Sequence, residues 1–261
     1  MGLFTARFTK PGPGIDKGEP RKTGLARLWE VLSREFSAFW MSGLLAILGF
    51  VPAAVCVLLA VATRALVFVL LAGALGALGG PCMVGLYDTA MRGLRDEPGY
   101  WWHRYKKAVR RSAKASLLPG AVTALLLGLE CFSVAMHLGV ENADPAPFLL
   151  LCILLSTLVI LALLNLYWSQ LVLMDLTAFA NARNCVLLFF LQLPRALGAA
   201  VWQLAYWLAV WMFSPISLAV ALLTGAWLPV LAAALTVYAP LNKTFQIEET
   251  LAKQRAEEFA D

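Results

Sequence analysis

The sequence predicts an all-α polytopic membrane protein, a bundle of six transmembrane helices with an N-terminal amphipathic helix. Three observations lead there. Of 261 residues, 61% are hydrophobic and only 14% charged, against roughly 45–50% and about 25% in soluble domains; mean hydropathy is +0.74. Apolar runs long enough to cross about 30 Å of hydrocarbon recur along the chain. The basic residues gather on alternate connections between those runs, as they do on one side of membrane proteins. This balance excludes a soluble enzyme, a disordered chain and a secreted disulfide scaffold.

Residues 1–23 come first. Pro11, Gly12, Pro13, Gly14 and Pro20 stand among charges, a density that forbids a helix. The expectation is a cytoplasmic Pro/Gly-rich segment and no cleavable signal peptide, because the segment is charged throughout. Over 24–39, Leu25, Leu28, Trp29, Leu32 and Phe36 recur at helical spacing opposite Arg27, Glu30, Arg34 and Glu35. That pattern makes an amphipathic helix, lying at the membrane surface or packed on the bundle.

Six apolar runs follow, within a membrane domain spanning 24–245. They cover 40–62, 66–88, 116–138, 147–174, 196–213 and 216–239. The third is interrupted by Glu130, and the fourth is long enough to tilt. Ser214-Pro215 separates the last two, which predicts a tight helical hairpin. Residues 184–193 are apolar but too short to span, so they read as an interfacial segment ending at Pro194. A cytoplasmic tail, 246–261, closes the chain.

Orientation comes from the basic residues. Twenty of the 21 lysines and arginines fall before the first run, in the basic loop 92–114, between the fourth and fifth runs, or after the sixth. Arg64 alone falls on the other side. Six crossings in the plasma membrane with both termini cytoplasmic satisfy this distribution. The basic balance therefore has a membrane explanation, and nucleic acid is not an expected partner.

Chemistry-bearing patterns are few. No G-x-x-x-x-G-K-[ST], H-E-x-x-H or G-x-S-x-G occurs. His103 and His137 fall on opposite sides by this topology, which removes a paired-histidine metal site. The cysteines, at 56, 82, 131, 152 and 185, form no C-x-x-C and read as small buried hydrophobes. No catalytic residue, metal or cofactor is expected. Inside the crossings only Asn165, Ser169, Gln170 and Gln203 are notably polar, thin provision for a hydrophilic path.

Three groups stand out. Glu130 costs at least about 2.5–3.5 kcal/mol to place in a membrane helix. It lies roughly 21 Å along its crossing, toward the end where Arg64 sits, so a Glu130–Arg64 ion pair is expected, with a proton-linked or substrate-facing role the alternative. Ala72, Gly76 and Gly80 form a small-residue stripe, for packing inside the bundle or docking a partner's helix. In the 92–114 loop, Arg92, Arg95, Asp96, Trp101, Trp102, Lys106, Lys107, Arg110 and Arg111 interleave bases with aromatics. That suits a lipid interface or a partner surface. Asp88 and Asp175 are positioned to join Arg92, Arg95 and Asp96 in one ion-pair cluster.

These residues also carry a resemblance. The opening Phe4-Thr5-x-x-Phe8-Thr9-Lys10-Pro11-Gly12-Pro13-Gly14 is distinctive. So is Gly80-Pro81 followed by Arg92-x-x-Arg95-Asp96-Glu97 and Trp102-x-x-x-Lys106-Lys107, with Tyr238-Ala239-Pro240-Leu241-Asn242-Lys243 near the end. Together they resemble the YesL-like family of bacterial integral membrane proteins, a domain of unknown function linked to carbohydrate uptake. Pro98-Gly99 and His103-Arg104-Tyr105 depart from the family pattern. The resemblance implies an accessory, non-catalytic component of an ATP-driven oligosaccharide importer, with the importer's permeases, or further copies of this chain, as partners. The alternatives are a stand-alone secondary transporter or channel, or a structural or regulatory membrane protein.

Overall fold

A computed structural model of the chain describes residues 24–97, 99–138, 147–174, 176–214 and 216–250. Every regular element among them is helical. The expected Pro/Gly segment 1–23, the distal part of the tail, residues 139–146 and Asp175 lie outside the described residues.

The first helix, α1, runs Gly24–Thr63, roughly 60 Å at 1.5 Å per residue. The predicted amphipathic segment and the first crossing are thus one path. Its single break is at Glu35, where φ −121° and ψ 23° leave helical space. Arg64 then takes φ 56° and turns the chain. The second path comprises α2 (Val67–Gly76), a 3₁₀ turn (Ala77–Gly79) and α3 (Gly80–Arg95). The helix continues seven residues beyond the expected crossing, to Asp96, whose left-handed φ of 58° ends it.

Helix α4 spans Trp101–Leu138, about 57 Å. Most of the expected basic loop is therefore helix, and the connection shrinks to the few residues between Arg95 and Trp101. Thirty-eight residues exceed what a bilayer needs, so roughly half of α4 extends past the hydrocarbon. Helix α5 follows, Pro147–Leu173.

Helices α6 (Ala178–Leu191) and α7 (Leu193–Met212) meet at a bend of 100°. Thr177 caps α6 by accepting from the Ala180 N–H, and Pro194 sits in the first turn of α7. The predicted sixth crossing is divided. Helix α8 (Ile216–Thr224) has nine residues, Gly225 turns at φ +50°, and α9 (Trp227–Phe245) completes the path. Glycine permits that backbone at no steric cost. By length and composition four paths can each cross a membrane, or five if α6 and α7 form one span.

The main core joins α1, α3, α5 and α9 around Phe39, Leu86, Met91, Trp168, Trp227 and Leu231. A second joins α5, α6, α7 and α9, and a third α1, α2 and α4. Outside these cores the surface is apolar: Leu58, Leu118 and Leu222 are each about two-thirds exposed. Continuous apolar surface of this kind is what a lipid bilayer covers.

Candidate functional site

Charged side chains concentrate where α1, α3 and α4 reach past their apolar stretches. On α1, Arg27 and Arg34 are seven residues apart, two helical turns, and so share a face. That face meets the end of α3. Arg27 Nη2 donates to Asp96 Oδ2 at 2.6 Å and to the Leu94 carbonyl at 2.9 Å. Arg34 donates to Asp96 Oδ1 at 2.5 Å and to the Gly93 carbonyl at 2.9 Å. Two arginines thus hold one aspartate and also satisfy carbonyls that the helix terminus leaves open. Arg27 is 4% exposed, so this pairing is largely withdrawn from water and stronger than a surface ion pair.

A second set lies along α3. Arg92 Nε donates to Asp88 Oδ2 at 2.6 Å, and its Nη1 to Glu97 Oε2 at 2.8 Å; Arg95 Nε lies 3.1 Å from Glu97 Oε1. Arg104 of α4 donates to the Glu97 carbonyl at 2.8 Å. A cavity of about 460 Å³ opens among these groups, with Trp101 and Glu35 on its wall. In these turns, ahead of the apolar run, burial pushes the Glu35 carboxyl up and the neighbouring Arg34 guanidinium opposes it. The result is a braced platform of three helix ends.

The opposite face of α4 is different. Tyr105, Ala108 and Ser112 are buried toward the bundle, while His103, Lys106, Lys107, Arg110 and Arg111 surround one depression. Among the described residues none of these five makes an ion pair. Lys106 Nζ lies 5.2 Å over the Trp102 ring, which stacks on Tyr105. Arg111 donates to the Val172 carbonyl at 3.2 Å, tying the face to the end of α5. The platform therefore holds its carboxylates on one side and presents, on the other, cations without a carboxylate partner among the described residues.

The structure separates the sequence-predicted groups. Asp88, Arg92 and Arg95 are joined through Glu97, while Asp96 pairs with Arg27 and Arg34. Arg27 and Arg34 belong to the amphipathic segment expected at the membrane surface or packed on the bundle; their seven-residue spacing is the signal for a shared face. Ala72, Gly76 and Gly80 are buried inside this chain. A Cβ on Gly76 would meet Ala124 Cβ at 2.2 Å, and one on Gly80 would meet the Ser116 carbonyl oxygen at 2.0 Å. The stripe is where α2 and α3 touch the backbone of α4, so no partner helix can reach it. Glu130 accepts from Thr157 Oγ1 at 3.3 Å, a link from α4 to α5, and Arg64 occupies the left-handed turn after α1.

The fold and the site define a class: an all-helical protein of apolar crossing helices with an ion-braced, one-sidedly basic platform at one end. Compared with family models, curated proteins and solved structures, the chain has no match.

Proposed function

We propose that this chain is an accessory, non-catalytic membrane component that docks on the permeases of an ATP-driven oligosaccharide importer. The basic face of α4 is the docking element. The observation that carries this is the geometry of that face. Helix α4 outruns the membrane, its base is tied to the end of α3 by Arg104 on the Glu97 carbonyl, and its projecting turns hold cations that pair with no carboxylate among the described residues. Preorganised charge of this kind selects an acidic partner and speeds its approach. The choice of a sugar importer rests on the YesL-like resemblance.

In this reading α8 and α9 together make a sixth crossing, broken at Gly225. Both termini and the platform then face the cytoplasm of the plasma membrane. An impermeant thiol reagent tests that on a background without native cysteines. In intact cells it labels a cysteine placed at Leu138 and leaves one at Lys107 unlabelled; the reverse pattern rejects the topology.

Native co-purification tests the function. The tagged protein, extracted gently from cells grown on complex glycans, should bring importer permeases in near-stoichiometric amount. Recovery of this chain alone rejects the docking role.

A further inference from the structure

A second cavity lies in the apolar part of the bundle. It has a volume of about 550 Å³ and is walled by α1, α3, α4, α5, α7 and α9. Its size falls in the range of small-molecule sites. No Asp, Glu, Lys or Arg lines it, and its polar groups are almost confined to Tyr87, Thr123, Asn165 and Gln203.

Three of these form a chain of hydrogen bonds. Tyr87 Oη donates to Asn165 Oδ1 at 2.7 Å. Asn165 Nδ2 donates to Gln203 Oε1 at 3.1 Å, and Gln203 Nε2 donates back to Asn165 Oδ1 at 2.9 Å. Asn165 is 2% and Gln203 7% exposed. Two carboxamides carry four N–H donors; this pairing uses two, and Gln203 also bonds the Tyr87 hydroxyl. Among the described residues this leaves one Asn165 N–H without an acceptor, which is unfavourable in a hydrocarbon setting. The site therefore lacks an acceptor.

Depth narrows what can supply one. Helix α5 has 27 residues, roughly 40 Å, and exceeds the hydrocarbon by about 5 Å at each end. Asn165 lies eight residues from its end at Leu173, so the amide pair sits roughly 7 Å inside the boundary. A charged phospholipid headgroup stays at that boundary, because taking it deeper strips its hydration. A small uncharged head can go there.

We propose that this cleft binds an uncharged lipid with one long hydrocarbon chain and a small oxygen-bearing head. Its hydroxyl or carbonyl oxygen accepts from Asn165, and its chain lies against the apolar walls. The proposal is independent of the importer reading and rests only on the membrane placement of these helices.

A monoacylglycerol with a diazirine in its acyl chain tests it, on the full chain in phosphatidylcholine nanodiscs, with adducts mapped by peptide mass spectrometry. Labelling should saturate and concentrate on cleft peptides. Excess unlabelled monoacylglycerol should displace it, and excess phosphatidylcholine should not. Asn165→Leu should weaken it about five- to tenfold. Ala54→Trp, which fills the exposed mouth on α1 without touching the amides, should abolish it while the protein stays monodisperse. Labelling that does not saturate, that spreads over all lipid-facing helices, or that survives Ala54→Trp overturns the proposal.

Discussion

The helices α1–α4 and the helices α5–α9 are joined by different means. In the first group backbones touch. Gly76 and Gly80 lie against Ser116, Gly120 and Ala124 with no room for a methyl group, and the brace at Asp96 locks the ends. In the second group side chains do the joining: the Asn165–Gln203 amide pair ties α5 to α7, and Tyr206 bonds Thr224 and the Gly225 carbonyl across α7 and the α8–α9 break. In lipid no hydrophobic force drives helices together, so close packing and polar contacts must supply the attraction. The first group adds an ionic brace to backbone contact, and the second adds amide and hydroxyl bonds to a core of buried alanines. The backbone-packed group carries the platform; the seam between the groups carries the cleft.

Breaking the backbone contact should cost most. Gly80→Leu forces a side chain into the Ser116 carbonyl, and overpacking of this kind costs about 3 kcal/mol or more where backbone cannot move. The check is thermal unfolding in detergent, with loss of monodisperse protein expected. Gly198 on α7 meets nothing within 4 Å, so Gly198→Leu should change stability by no more than about 1 kcal/mol, in the stabilising direction.

Next comes the brace. Asp96→Asn tolerates the left-handed backbone but leaves the buried Arg27 with only Glu30, at 3.4 Å, as a counter-ion. A loss of about 2 kcal/mol is expected, below the range for a wholly buried pair because Asp96 is partly exposed. Adding Arg27→Met should recover part of that loss, since two fitted neutral groups are cheaper than one orphaned charge. Additive losses in the double variant would mean the pair is not a coupled unit.

The amide pair should be weaker. Asn165→Leu should cost about 1 kcal/mol, and Asn165→Leu with Gln203→Leu should cost less than the single change, because no amide is then left unpaired. A double variant worse than both singles would show that the amides act separately. Smallest is the basic face: Lys107→Glu with Arg110→Glu should alter stability by under about 0.5 kcal/mol, measured in the same unfolding assay, while removing partner binding.

How much of this was legible in the sequence follows from the forces involved. Length and apolarity marked the paths through 40–62, 66–88, 116–138 and 147–174, because lipid demands them in the sequence itself. The four-residue spacing of Ala72, Gly76 and Gly80 pointed to close contact without saying which helix lies opposite. Hydropathy is blind to Gly225, since a glycine inside an apolar run changes the average little while its φ of +50° breaks the helix. It is equally blind to continuity: charge marked 92–114 as a loop, whereas α3 carries Arg92 and Arg95 and α4 gathers Lys106, Lys107, Arg110 and Arg111 on one face. The brace was out of reach for a different reason. Arg27 and Asp96 are 69 residues apart, and only the packing of α1 on α3 brings them together. Likewise Asn165 and Gln203 stood out as rare polar residues, but their pairing needed the fold.

The central claim is that the basic face of α4 is where a partner docks. Site-specific photocrosslinking tests it most directly. A photoreactive residue is placed at Lys107 on that face, or at Leu222 on the exposed side of α8, in cells expressing the importer. The account predicts an adduct with a permease from Lys107 and none from Leu222. Permease adducts from Leu222 alone, or from neither position, would contradict it.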